Sequence, residues 1–261
     1  MKILIKAFIS KLFNLVGYNV TFSKKTISSD IVVDKNYWEP FYKPNHKMNL
    51  YFKGLRMSKV EWSDNYYKQL RFYNLQQMVD YALRQKLIGD FVECGVWKGH
   101  SAYIISSILY ENKFAGNFYI FDALERGLSR KSGKDENLRS ELTQQEIQVE
   151  SNIFQSTEDE VKACLSEFDF IHLYKGWIPN RFIEVENKQF SFVHIDVDLY
   201  EPTRDSLNFF FPKLLKNGVI VCDDYGSSQF PGAKMAIDEF IEKNNCNMFY
   251  EVPMGACFII K

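Results

Sequence analysis

Asp196, Asp198, Asp223 and Asp224 fall within two short runs, His194-Ile195-Asp196-Val197-Asp198-Leu199-Tyr200-Glu201-Pro202-Thr203 and Val221-Cys222-Asp223-Asp224-Tyr225-Gly226. Asp196 and Asp223 each close an apolar stretch of strand character. The 27 residues from position 196 to position 223 suit a strand-helix-strand unit, which sets successive strand ends side by side. Three or four carboxylates would therefore converge. At a low-dielectric strand end they would repel one another, and a hard divalent cation held by oxygen ligands relieves that repulsion, with Mg²⁺ the first candidate. The alternative is that the acids cap helices or pair with Arg204 and Lys234. Asp205 and Asp238 fall inside helical stretches and read as solvated.

A second chemistry-bearing stretch lies upstream, Val92-Glu93-Cys94-Gly95-Val96-Trp97-Lys98-Gly99-His100-Ser101. It reads as strand, two-glycine turn and helix start. Gly95 and Gly99 let backbone approach a ligand, and the helix N-terminus favours a ligand's negative end. The pattern is not GxGxxG, so no dinucleotide fingerprint is present. Asp122 ends the next apolar strand, 23 residues after Gly99, where a carboxylate can accept from both hydroxyls of a ribose; the other reading is a turn aspartate. Glycine turn and acid together favour an adenosine-containing ligand. Glu93, beside the turn, suits a ligand ammonium, which S-adenosylmethionine carries.

The elements that must position these groups follow from periodicity. Short apolar strands alternate with helical stretches beyond Gly89, the pattern of a parallel doubly wound sheet. Strands are expected at 90–94, 117–122, 168–174, 190–196 and 218–223, with a closing pair at 248–251 and 256–260. Helices are expected at 100–110, 157–165, 179–186, 203–215 and 233–243. A long amphipathic helix over 66–87, with Leu70, Tyr73, Leu75, Met78, Val79, Ala82 and Leu83 at helical spacing, precedes them. The fold class is α/β: a Rossmann-like, mostly parallel seven-stranded sheet with helices on both faces and an N-terminal helical and irregular extension. Residues 23–57, polar and aromatic with Pro40, Pro44 and Gly54, read as irregular structure that forms a lid or covers a sheet edge.

Composition narrows the partners. The 32 basic residues nearly cancel 33 acidic ones, so the field needed for nucleic-acid binding is missing and a small molecule or glycan is expected. Five cysteines, odd in number, widely spaced and without a CxxC, suit free thiols in a reducing compartment, hence the cytoplasm. Residues 1–16 are apolar but interrupted by Lys2, Lys6 and Lys11. They fit a helix packed on the protein or on a neighbouring subunit of a homo-oligomer; membrane-surface contact and a targeting signal are the other readings.

The runs GDFVECGVWKGHSA (89–102), HIDVDLYEPTRDSL (194–207) and DDYGSSQFPGAKMAIDEF (223–240) together resemble the macrocin O-methyltransferase family, whose members methylate sugar hydroxyls of macrolides and other glycosides. The resemblance covers about 66–261, with 1–65 as an N-terminal extension serving as lid or oligomer contact. It implies that Glu93, Gly95, Gly99, Ser101 and Asp122 line an S-adenosylmethionine site and that Asp196, Asp223 and Asp224 bind Mg²⁺. Gly176 and Trp177 also match a family element near cofactor or acceptor. The run Ala123-Leu124-Glu125-Arg126-Gly127-Leu128 departs from the family's Ser-Phe-Glu-Gly-Leu.

The implied reaction is in-line transfer of a methyl group from a sulfonium to a hydroxyl, expected to be that of a sugar in a glycan, nucleotide sugar or glycosylated metabolite. Such a hydroxyl must lose its proton, and Asp196 is the expected base with Asp198 second. Metal-dependent catechol methyltransferases carry a lysine three residues after the first metal aspartate; here Leu199 stands there. His100 and His194 read as packed, hydrogen-bonded histidines ahead of bases. Arg126, Arg130, Lys131 and Lys134 read as a solvated loop or, if functional, as favouring an acidic acceptor. Two rivals remain: a glycosyltransferase using Asp196-Val197-Asp198 as a DxD metal motif, which leaves Glu93 and the glycine turn unexplained, and a noncatalytic glycan-binding protein.

Overall fold

The computed structural model describes residues 45–128, 132–135, 153–253 and 255–261. Seven strands form one sheet: β1 (Asp90–Cys94), β2 (Phe118–Asp122), β3 (Ile171–Lys175), β4 (Phe190–Ile195), β5 (Leu214–Cys222), β6 (Met248–Glu251) and β7 (Cys257–Ile260). Their order is β3-β2-β1-β4-β5-β7-β6. The first five pair in parallel, whereas β7 runs antiparallel to both β5 and β6. Described helices are α1 (His46–Met57), α2 (Tyr66–Arg84), α3 (His100–Glu111), α4 (Glu158–Cys164), α5 (Tyr200–Lys213) and α6 (Pro231–Lys243).

The central strands are apolar on both faces because both are covered. Phe91, Phe192, Val219 and Phe258 pack with residues of α1, α2, α3 and α4. Val92, Val193, Ile220 and Ile259 face the opposite way, with Phe210 and Phe240 from α5 and α6. This is the continuous apolar run expected of parallel strands between two helix layers. Strand order reverses between β1 and β4, and the carboxyl ends of those strands flank the crevice where an open α/β sheet binds ligands.

The structure corrects several expected elements. Residues 46–57, read as irregular, form α1: Asn45 caps it by accepting from the Met48 amide at 3.0 Å, and Met48, Tyr51 and Leu55 recur along one buried face. Gly54 reads as a breaker but serves as the contact with α3, since a Cβ there would lie 2.8 Å from His100 Cδ2. The helix expected at 179–186 is only a 3-10 turn, Phe182–Val185. α5 begins at Tyr200, ahead of the expected Thr203, because Pro202 is harmless in a first turn and the Asp135 carboxylate accepts from the Tyr200 amide at 2.7 Å. β5 begins at Leu214 where helix was expected to continue, and β3 spans Ile171–Lys175 where 168–174 was expected. The segment 1–16 lies outside the described residues. Among the described residues no helix is long and apolar enough to cross a membrane.

Leu55, buried on α1, tests whether that helix is integral to the core. Leu55→Ala is expected to cost about 2–5 kcal/mol, visible as a lowered thermal or urea midpoint. An unchanged midpoint would return α1 to a peripheral role.

Candidate functional site

The glycine turn is built around one carboxylate. Asp122 Oδ2 accepts from the amides of Val96 at 2.6 Å and Trp97 at 2.9 Å, while Oδ1 accepts from the Leu124 amide at 2.6 Å. The ribose candidate is thus also a turn aspartate, tying β2's end to the loop after β1. Burial raises its proton affinity, opposed by these three amides. Gly95 has φ of +85°, and a Cβ there would sit 1.8 Å from the carbonyl oxygen of Asp196. Gly99, with φ of +90°, occupies the N-cap of α3. Ser101 sits buried in the first turn of α3 and lines the cavity. The Gly176 amide donates to the Asp122 carbonyl at 2.9 Å, and the adjacent Trp177 ring lies 6.0 Å from the Arg126 guanidinium.

Glu93 is placed differently from expectation. Its side chain is fully buried, does not line the cavity, and accepts from His194 Nδ1 at 2.7 Å. The alternation of β1 turns position 93 toward the helix layer, so the expected contact with a ligand ammonium is replaced by an internal ion pair. Burial alone would lower the His194 pKa, but the Glu93 bond and charge, with Asp196 and Asp223 behind them, lift it to about 9. His100 is also internal: its Nε2 lies 3.0 Å from the Tyr51 carbonyl and its ring stacks on Phe72. Burial and the nearby Lys68 charge keep it neutral.

The acids do converge. Asp196, Asp223 and Asp224 each offer an oxygen, all within 4.8 Å of one another. Asp198 joins through its backbone, its amide donating to Asp224 Oδ2 at 2.9 Å from a left-handed conformation, φ +62°. Burial, then mutual repulsion, pushes Asp196 and Asp198 well above the usual carboxylate range and Asp224 to about 6. Arg204 and Lys234 are not the partners: Arg204 bonds Asp205, and Lys234 bonds Asp238 and the Tyr225 hydroxyl. Asp205 and Asp238 are thereby paired as well.

The counter-charge comes from α2, where no site residue was expected. Arg71 Nη1 lies 2.8 Å from Asp223 Oδ2, and Lys68 is buried one turn earlier. A signal existed, since Lys68 falls in register with Phe72, Leu75, Gln76, Val79 and Ala82, the face that α2 actually buries. The cavity these groups share is about 630 Å³, open to solvent, in the range of a small-molecule site.

Comparison with known proteins decides the family. The sequence pattern of the macrocin-O-methyltransferase (TylF) family matches residues 46–253. The chain belongs to that family. The enzyme is accordingly an S-adenosylmethionine-dependent O-methyltransferase. It is 24% identical over 217 residues to demethyldecarbamoylnovobiocin O-methyltransferase of Streptomyces niveus, covering 79% of this chain and 80% of that one. It is 24% identical over 179 residues to mycinamicin III 3''-O-methyltransferase of Micromonospora griseorubida, covering 67% and 68%. The solved O-methyltransferase NovP shares the fold with a TM-score of 0.63 at 21% identity, over 80% of this chain and 88% of that one. The glycosyltransferase and noncatalytic readings fall with this assignment.

The basic loop after Asp122 is described only in part. Arg130 and Lys131 lie outside the described residues, and Lys134 donates to the Tyr200 hydroxyl at 2.8 Å and to Glu239 Oε1 at 2.6 Å.

Two outcomes follow from this geometry. Asp122→Ala removes the acceptor of three backbone amides, so it should weaken cofactor binding by about 1–3 kcal/mol and also lower the thermal midpoint. A parent-like midpoint would contradict the turn-holding role. The His194 pKa, raised from 6.5 to about 9, makes the buried pair's stabilisation complete below pH 6.5 and lost as pH climbs through 9. Midpoints measured across that window should fall in the parent and fall less steeply in Glu93→Gln; parallel curves would disprove the pairing.

Proposed function

We propose that the enzyme methylates a sugar hydroxyl of a glycoside, with a divalent cation, Mg²⁺, held by Asp196, Asp223 and Asp224. The observation that carries this reading is the convergence of three carboxylates at the switch point beside the glycine turn. The donor set fits a hard cation: all oxygen, largely buried, within one ion's coordination span, and more negative than the single Arg71 ion pair to Asp223 offsets. Such an ion supplies a fixed positive charge that makes a hydroxyl more acidic and orients it. The sugar class is supported by the relatives' names, among them a rhamnosyl-tetracenomycin C 4'-O-methyltransferase of Streptomyces olivaceus.

The chain's own residues divide the work. Gly95, Gly99, Ser101, Asp122, Gly176 and Trp177 form the cofactor side, with Asp122 accepting from the ribose through lone pairs its three amides leave free. The cofactor supplies an electrophilic methyl group. Asp196 takes the proton of the attacking hydroxyl, with Asp198 second. In the cation-free cluster, burial among like charges raises the proton affinity of both carboxylates above that of an exposed aspartate, and a bound cation would offset this at Asp196. Glu93 supports this site from behind through His194. Five free cysteines, four of them buried, favour the reducing cytoplasm as its location.

Labelled S-adenosylmethionine, Mg²⁺ and a panel of glycosides and nucleotide sugars test the reading directly. Chelation should abolish transfer and Mg²⁺ restore it, while cofactor binding survives. Asp223→Asn or Asp224→Asn should raise the Mg²⁺ requirement roughly tenfold or more. Full activity in chelator would remove the cation, and labelling only of non-sugar acceptors would remove the sugar.

A further inference from the structure

The cofactor's amino-acid end carries a carboxylate as well as an ammonium, and none of the groups assigned so far is a cation able to receive it. Among the described residues lining the cavity, two are basic, Lys68 and Arg71. Arg71 is committed to Asp223. Lys68 Nζ donates to Ser63 Oγ at 2.7 Å, and among the described residues no carboxylate lies within ion-pair distance of it.

Its position is at the glycine-turn end of the cavity. Nζ lies 5.6 Å from the ring of Trp97, a residue of the turn itself, and 5.5 Å from the ring of Phe72. Its charge is felt by His100, the first residue of α3, whose N-terminus favours a ligand's negative end. Ring faces favour the cation but do not neutralise it. Burial without a full counter-charge shows in the ammonium's pKa, pulled down to about 8 by desolvation and by Arg71. Asp196, Asp223 and Asp64 offset this only in part, and a ligand carboxylate entering here would raise the pKa further.

We propose that Lys68, presented by the helix that precedes the sheet, binds the methionine carboxylate of S-adenosylmethionine. This rests on the cofactor occupying the glycine turn. It gives α2 two tasks one turn apart: Arg71 fixes an acid of the cluster, and Lys68 fixes the acidic end of the methyl donor. An acidic group on the acceptor is the other source of such a carboxylate, and the test separates the two.

Calorimetry without acceptor, using S-adenosylmethionine and its decarboxylated analogue on the parent, Lys68→Met and Lys68→Arg, supplies that test. The parent should prefer the carboxylated ligand by tenfold or more. Lys68→Met should lose most of that preference by weakening for S-adenosylmethionine alone, and Lys68→Arg should keep part of it. A Lys68→Met protein that retains the parent's preference overturns the proposal and leaves Lys68 to the acceptor. Equal weakening for both ligands overturns it too, showing a general structural role. A parent that binds neither ligand defeats the cofactor placement, and the proposal with it.

Discussion

The site depends on the close approach of two strand ends. The Asp196 amide donates to the Cys94 carbonyl at 2.8 Å, and the Asp196 carbonyl fills the space a side chain at position 95 would need. Only glycine, at positive φ, permits this contact. The glycine turn and the strand that starts the acid cluster therefore share one backbone junction. The separation of the glycine turn from the acid cluster is set by sheet register, Cys94 beside Ile195.

Around that junction the buried charges are arranged in depth. The four aspartates carry the negative charge at the surface of the crevice. Glu93 and His194 form a neutralised pair behind them, and Arg71 closes the side facing α2. Buried ions are costly unless paired, so this arrangement confines the uncompensated charge to the one place where a ligand can use it. α2 brings Arg71 and Lys68 to the crevice, whereas α5 and α6 pack on the opposite face.

The parallel core was legible because its strands are continuous apolar runs ending in acids or glycine, and β1 has the bounds expected from sequence. The acid cluster was legible for the same reason: position at a strand end predicts convergence whatever the tertiary detail. What failed lay where tertiary context overrides local pattern. Gly54 looks like a breaker in isolation and is a helix-helix contact in the fold. Glu93 sits beside a glycine turn in sequence, yet the strand's alternation turns it away from the cavity to a histidine 101 residues on. Lys68 and Arg71 were missed because a basic residue on an amphipathic helix usually faces water; the register of Lys68 with the buried face was the available sign, and the packed sheet shows that this face looks into the crevice.

The insertion of β7 between β5 and β6 also closes an edge of the sheet. β6 precedes β7 in sequence but joins the sheet only through β7, which alone pairs with β5 on that side. Until β7 docks, the outer edge of β5, which is apolar where it will meet β7, is an open row of backbone donors and acceptors. A chain lacking that pairing would keep its crevice-forming strands, β1, β2, β4 and β5, beside an adhesive flank. The four residues Cys257–Ile260, all buried, act as the seam that ends the hazard.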